Sequence, residues 1–178
     1  MDAYITVGQM LAFRERKVFL REKLQRKYPG NVAVALGMNI PGPKKSSREI
    51  RKAFAAGAAA LEELFNRESV HLLEICPLED PAGAVMLYAL SCPGAAYIKK
   101  MTVSLEDTHP LGRLFDIDVY WPDGKAFGRR ELGLPERKCL LCSREARACG
   151  RNRTHSVEEL QEKVHEIICR WQSEEDNG

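Results

Sequence analysis

Phe115-Asp-Ile-Asp-Val-Tyr120 alternates apolar and polar residues without a break, and that pattern commits the chain to a strand buried on one face only. Residues two apart on a strand share a face, so Asp116 and Asp118 project together while Phe115, Ile117 and Val119 point into a core. Two carboxylates side by side repel each other unless a cation stands between them. Mg²⁺, with its hard oxygen ligands and preference for substrate phosphates, is the natural occupant. Such a pair can clamp a triphosphate and steady the attacking and leaving oxygens of a displacement at phosphorus. Gly112 just upstream lets backbone approach phosphate oxygens, and Arg113 stands beside it. Pro122-Asp123-Gly124 reads as a hairpin turn into a further strand over 125–130, which brings Arg129 and Arg130 across. A third carboxylate is needed to complete the metal cage or to accept a proton. Glu131 and Asp123 are the nearest in sequence, and Glu131 is the candidate taken forward.

The rest of the chain reads as helices and strands around that ribbon. Thr6-x-x-Gln9, Ser46-x-x-Glu49 and Ser156-x-x-Glu159 are capping boxes, each satisfying two otherwise orphaned backbone N–H groups. The first opens a strongly basic helix that runs to about Lys27. The second helix carries Ile50, Phe54, Gly57, Leu61 and Leu64 on one face, and the third carries Val157, Leu160, Val164, Ile168 and Trp171. Strands are expected at 32–36, 70–75, 84–90 and 97–105, with the Pro-rich segment 77–81 as a link between the second and third. The order predicts one α+β domain, residues 1–178, with a mixed or antiparallel sheet covered by helices and a frayed tail after about 172.

Composition narrows the function classes. Among 178 residues, 27 Lys and Arg nearly balance 25 Asp and Glu, which argues against a general polyanion binder. No basic segment followed by an apolar run opens the chain, so a cytoplasmic location is expected. The uncharged stretch 81–98 is interrupted by Ser91, Cys92, Pro93 and Gly94, so it reads as buried structure and not as a membrane span.

Three further groups of residues are candidates. Ile40-Pro-Gly-Pro-Lys44-Lys45-Ser46-Ser47 joins a strand to a capped helix, where free N–H groups, Lys44 and Lys45 would attract phosphate. His109, directly before Pro110, could contact phosphate or shuttle a proton. Cys139-x2-Cys142-x6-Cys149-x5-His155 offers three sulfurs and an imidazole, enough for a closed tetrahedral Zn²⁺ site. If 139–149 formed one helix, Cys142 and Cys149 would share a face, which suits plain packing of buried thiols equally well; redox activity is the third reading. Six basic residues against two acidic ones surround those cysteines, a surface for polyphosphate or for an acidic protein.

Taken together, His109-Pro-Leu-Gly-Arg-Leu-Phe-Asp116-Ile-Asp118-Val, Arg129-Arg130, Leu134-Pro135, Arg137-Lys-Cys139-Leu-Leu-Cys142, Cys149 and Thr154-His155 resemble the holo-citrate lyase synthase family, the apo-citrate lyase phosphoribosyl-dephospho-CoA transferases. Pro41-Gly-Pro-Lys44 fits as well, and the likeness extends over about residues 8–172. The resemblance implies a nucleotidyltransferase-like fold and reaction. The donor would be 2′-(5″-triphosphoribosyl)-3′-dephospho-CoA, the acceptor a serine of the apo-acyl carrier protein subunit of citrate lyase, and the leaving group pyrophosphate. Asp116 and Asp118 would hold Mg²⁺, and Arg113, Arg129 and Arg130 would bind pyrophosphate. The Gly-Ser pair usual in nucleotidyltransferases lies farther before the carboxylates than Gly112-Arg113 does here. Two other readings remain: transfer to another carrier or a small acceptor, and a zinc-knuckle module for nucleic acid. The net charge of +2 and the lack of aromatic residues between Phe127 and Trp171 speak against nucleic acid.

Overall fold

Val32–Met38 (β1) is the spine of a sheet in which it is buried on both sides, and its sequence of Val, Ala, Leu and Gly is what such a position requires. The computed structural model describes residues 4–175. Around β1, Gly83–Ser91 (β3) and Phe115–Tyr120 (β4) pair on either side. His71–Asp80 (β2) and Ala126–Phe127 (β5) close the order β2-β3-β1-β4-β5, with every pairing antiparallel. Of the expected sheet alternatives, mixed or antiparallel, the structure takes the second.

Of the five helices among the described residues, four cover this sheet. Val7–Lys27 (α1) lies on one face, where Phe13 and Leu24 join Ala35, Leu78, Val85, Leu87 and Ala89. Arg48–Arg67 (α2), Ala95–Thr108 (α3) and Val157–Glu175 (α5) pack on the other, over Val34, Leu36, Tyr88, Phe115, Ile117 and Val119. The short Ala146–Asn152 (α4) stands apart from both. The α2 face is tight: a methyl group on Gly57 would meet the Phe115 ring at 2.6 Å, so the glycine sets how closely helix and β4 approach.

The capping boxes of α1 and α5 form as expected, with Gln9 N donating to Thr6 Oγ1 and Glu159 N to Ser156 Oγ. At α2 the cap is Ser47, one residue later than the spacing suggested. Its hydroxyl accepts from Ile50 N, while Ser46 takes the Arg51 guanidinium.

Three expectations need correction. The strand expected over 97–105 is α3. Its buried positions Ala95, Ile98, Lys99, Thr102, Val103 and Glu106 recur at three- and four-residue intervals, and this helical burial overrides the strand preference of Tyr97, Ile98, Thr102 and Val103. The Pro-rich link is strand: Pro77 pairs with Met86 inside β2, an edge strand where a missing N–H costs no ladder bond. The strand expected over 125–130 shrinks to the two residues of β5, after which the chain turns through Arg130–Leu132 and Gly133 at φ +68°.

Candidate active site

The register of β4 against β1 builds the floor. Asp116 stands opposite Gly37 and Asp118 opposite Ala35, so the two carboxylates rise beside residues with almost no side chain. They lie on the α1 face while Phe115, Ile117 and Val119 are buried beneath, as the alternation requires. Where α1 ends its cover of the sheet, a cleft of about 1370 Å³ opens above them. Asp118 Oδ2 takes Lys17 Nζ at 2.9 Å and the Tyr120 hydroxyl at 3.3 Å. Asp116 opens on the cleft, yet protein crowds its carboxyl. That loss of water, and then the charge of Asp118, raise its pKa above the usual aspartate range, against a smaller opposing pull from Lys17 and Arg137. A pair in which one member resists ionisation is a pair that a cation would relieve, and the all-oxygen donor set suits a hard divalent ion.

One sheet edge explains residues that the sequence reading passed over. β5 covers only Val119 and Tyr120, which leaves the first part of β4 without a partner strand on the side away from β1. Side chains take the strand's place. Glu106 Oε1 accepts from Ile117 N at 3.2 Å, Lys99 Nζ donates to Ile117 O at 2.7 Å, and Arg137 Nη1 donates to Phe115 O at 2.7 Å. Glu106 and Lys99 are among the few charged residues that are buried. Glu106 is thus the third carboxylate beside the pair, and it is committed to the strand edge and to arginines: Arg129 Nη2 at 3.0 Å and Arg137 Nη1 at 3.7 Å. The signal available in sequence was its place in α3, seven residues after Lys99, which is visible only once that segment is read as helix.

The basic wall faces the floor. Arg129 bridges Glu106 and Asp107, and its buried Nε has no hydrogen-bond partner among the described residues. Arg113 Nη2 donates to Lys138 O at 2.6 Å and to Cys139 O at 3.0 Å, and Arg137 also holds the carbonyl of Arg113. Arg130 pairs with Glu136 at 2.6 Å. Glu131 lines the cleft, exposed, and accepts from Gly128 N. Arg113, Arg129, Arg130 and Arg137 all line the same cleft as the two aspartates.

Gly112, His109, Lys44 and Lys45 lie elsewhere. Gly112 is buried, and its bare Cα faces the carbonyls of Glu106 and Leu105 at the end of α3, where a side chain would collide. The glycine therefore serves the turn from α3 into β4. His109 packs on Phe115 with ring centroids 5.0 Å apart and accepts from Leu111 N; burial lowers its pKa. Lys45 Nζ bonds to Ile40 O within its own loop, and Lys44 sits over the Tyr4 ring. The same loop does reach the cleft, through Pro41 and Gly42.

At the far end of the cleft Cys139, Cys142, Cys149 and His155 converge, with all four ligand atoms within 4.8 Å of one another. They do not share a helix: Cys139 and Cys142 lie on a turn before α4, and only Cys149 is helical. His155 and the backbone N–H of Arg144 pull the Cys142 thiol down to about 6.

Known proteins are similar to this chain over most of its length. The family described as apo-citrate lyase phosphoribosyl-dephospho-CoA transferase matches residues 5–171. Relatives bearing that same description in Escherichia coli O1:K1 / APEC, in Shigella boydii serotype 18 and in Escherichia coli O157:H7 are each 31% identical over 164 residues. Those matches cover 92% of this chain and 88% of the relative. No helix among the described residues is long and apolar enough to cross a membrane. A match spanning the floor, the wall and the cysteine cluster alike places this chain in the apo-citrate lyase phosphoribosyl-dephospho-CoA transferase family, a family of enzymes.

Proposed function

We propose that the protein attaches the phosphoribosyl-dephospho-CoA prosthetic group to a serine of the apo-acyl carrier protein of citrate lyase. The donor is its 5″-triphosphate precursor, and pyrophosphate is released. The observation that carries the reading is the cleft itself: two carboxylates on one strand face, across from arginines of which one keeps a buried N–H unpaired. That combination suits a triphosphate, whose reacting end needs a divalent cation and whose departing end needs guanidinium donors.

Asp116 and Asp118 are the residues that would hold Mg²⁺. Bound there, the ion would neutralise the triphosphate and the charge developing on its oxygens. Arg129, with Arg113 and Arg130 beside it, grips the β- and γ-phosphates and holds the α-phosphorus over the floor. The serine oxygen forms the new bond to that phosphorus while the bond to the bridging oxygen of the diphosphate breaks. Glu131, exposed on the cleft wall, accepts the hydroxyl proton. Catalysis is then mainly positioning plus electrostatics, in a nucleotidyltransferase-like arrangement that acts in the cytoplasm, with neither membrane nor nucleic acid as partner. Lys44 and Lys45 stand outside the cleft lining, beside a loop whose Pro41 and Gly42 form part of its mouth; Lys45 is turned into that loop, and the exposed Lys44 adds positive charge on the side where an acidic carrier docks.

Intact mass of the apo-carrier after incubation with the triphosphate donor and Mg²⁺ tests this directly. The carrier should gain one prosthetic group with one pyrophosphate released. An unchanged carrier mass beside a competent control enzyme rejects the reading.

A further inference from the structure

We infer that Cys139, Cys142, Cys149 and His155 bind one structural Zn²⁺, and that this ion pins the arginine wall of the cleft in place. The four ligand atoms come from three pieces of chain: a turn, a short helix and the residue pair that follows it. A tetrahedron with Zn–S near 2.3 Å and Zn–N near 2.0 Å has edges of about 3.8 Å between sulfurs and about 3.5 Å from sulfur to nitrogen. Cys142 Sγ and Cys149 Sγ stand 3.5 Å apart, and His155 Nε2 stands 3.4 Å from Cys142 Sγ. The sulfurs are too far apart for a disulfide, whose S–S bond is about 2.05 Å. They are spaced for a shared ion.

Surroundings decide between ligation and packing. Cys139 and Cys149 are buried, but neither belongs to the two apolar clusters of the molecule, as Cys76 and Cys92 do at their margins. Their sulfurs face one another. The turn that presents them is closed on itself: Cys139 N donates to Arg144 O and Ala146 N to Arg137 O, each at 2.8 Å, with a bridge between Lys138 and Glu145. The backbone N–H of Arg144 also points at the Cys142 sulfur, the outer-shell bond that orients a thiolate ligand. Three thiolates around a dication leave a net negative charge, and Arg144, Arg147, Arg151 and Arg153 supply its complement. Four protein ligands complete the coordination shell, so the site is closed and structural.

The consequence for the cleft follows from two carbonyls. Lys138 O and Cys139 O, at the first ligand of the turn, are what hold the Arg113 guanidinium. Arg137, one residue further back, ties the same turn to Arg113 and to the edge of β4. This second half of the inference rests on the transferase reading; the metal content does not.

Elemental analysis of the purified full chain should give one zinc per chain. The cobalt-substituted protein should show the visible bands of a four-coordinate thiolate site. Cys142→Ala should weaken zinc affinity by more than the roughly 10–100-fold that losing an outer-shell partner costs. Asp116→Asn should keep its zinc in full, which separates this site from the floor. For the pinning role, pyrophosphate is the probe. Chelator-treated protein should bind it at least tenfold more weakly, while Mn²⁺ binding and far-UV circular dichroism stay close to the untreated values. Protein with reduced thiols that neither contains zinc nor takes it up overturns the site. Zinc removal without a change in pyrophosphate affinity overturns the pinning role.

Discussion

The two sides of the cleft are built by different means. The floor is a ladder: β4 pairs residue by residue with β1, and alternation alone decides which way Asp116 and Asp118 point. The wall, residues 128–155, has two short helical turns and one isolated bridge, and is held by side chains reaching backbone carbonyls and by a sulfur cluster. Repetition fixes the first and individual contacts fix the second. A change on the floor should therefore remove chemistry and leave the fold. A change in the contacts that join the two should cost stability first.

The largest effect expected is on turnover. Asp118→Asn should lower single-turnover transfer by about 10³-fold, the scale on which removing one preorganised electrostatic contact acts. Circular dichroism should not change, because the Lys17 contact it loses is partly exposed and worth at most about 1 kcal/mol. Glu106→Ala should do the opposite. It strips the β4 edge of an acceptor and leaves Arg129 without its buried partner, so urea unfolding should show a loss of about 3 kcal/mol.

A pair of glycines sharpens the same contrast. Gly112→Ala drives a methyl group onto the carbonyls that end α3 and should cost about 1–3 kcal/mol. Gly37→Ala meets only ordinary contacts, the nearest at 3.7 Å to Val85, and should change stability by less than about 1 kcal/mol while narrowing the space beside Asp116. If the two cost the same, the turn before β4 is not a tight joint.

The smallest effect depends on pH. Burial holds His109 below its ordinary pKa of 6.5 in the fold, so the unfolded chain binds its proton more readily. The stability this contributes is present above 6.5 and is lost as pH falls through the depressed folded value. His109→Asn, which keeps an acceptor for Leu111 N, should flatten that acid-side loss in unfolding measured at pH 7.5 and pH 5.5. A steeper loss in the variant would contradict the sign.

What could be read in advance divides along the same line. The floor was legible, since a period-two pattern with one buried face admits few arrangements, and Arg113, Arg129, Glu131, Cys139 and Cys149 line one cleft. Glu106 and Lys99 were hidden because their segment carries strand-favouring residues, and only packing against β4 shows it as helix. Gly112 was read for close approach and does approach closely, but to its own chain's carbonyls. Lys44 and Lys45 were read from charge beside a helix start. Charge alone does not say where a flexible side chain finds its partner, and Lys45 finds Ile40 O.

The claim on which the rest depends is that the paired aspartates of β4 hold a divalent ion for phosphoryl transfer. Mn²⁺ titration of the zinc-loaded protein in the presence of the triphosphate donor, followed by electron paramagnetic resonance, tests it with least ambiguity. The wild-type chain should bind Mn²⁺ at the floor, and the Asp116→Asn, Asp118→Asn double variant should lose that signal while keeping its fold and its zinc. Undiminished Mn²⁺ binding in the double variant would contradict the account.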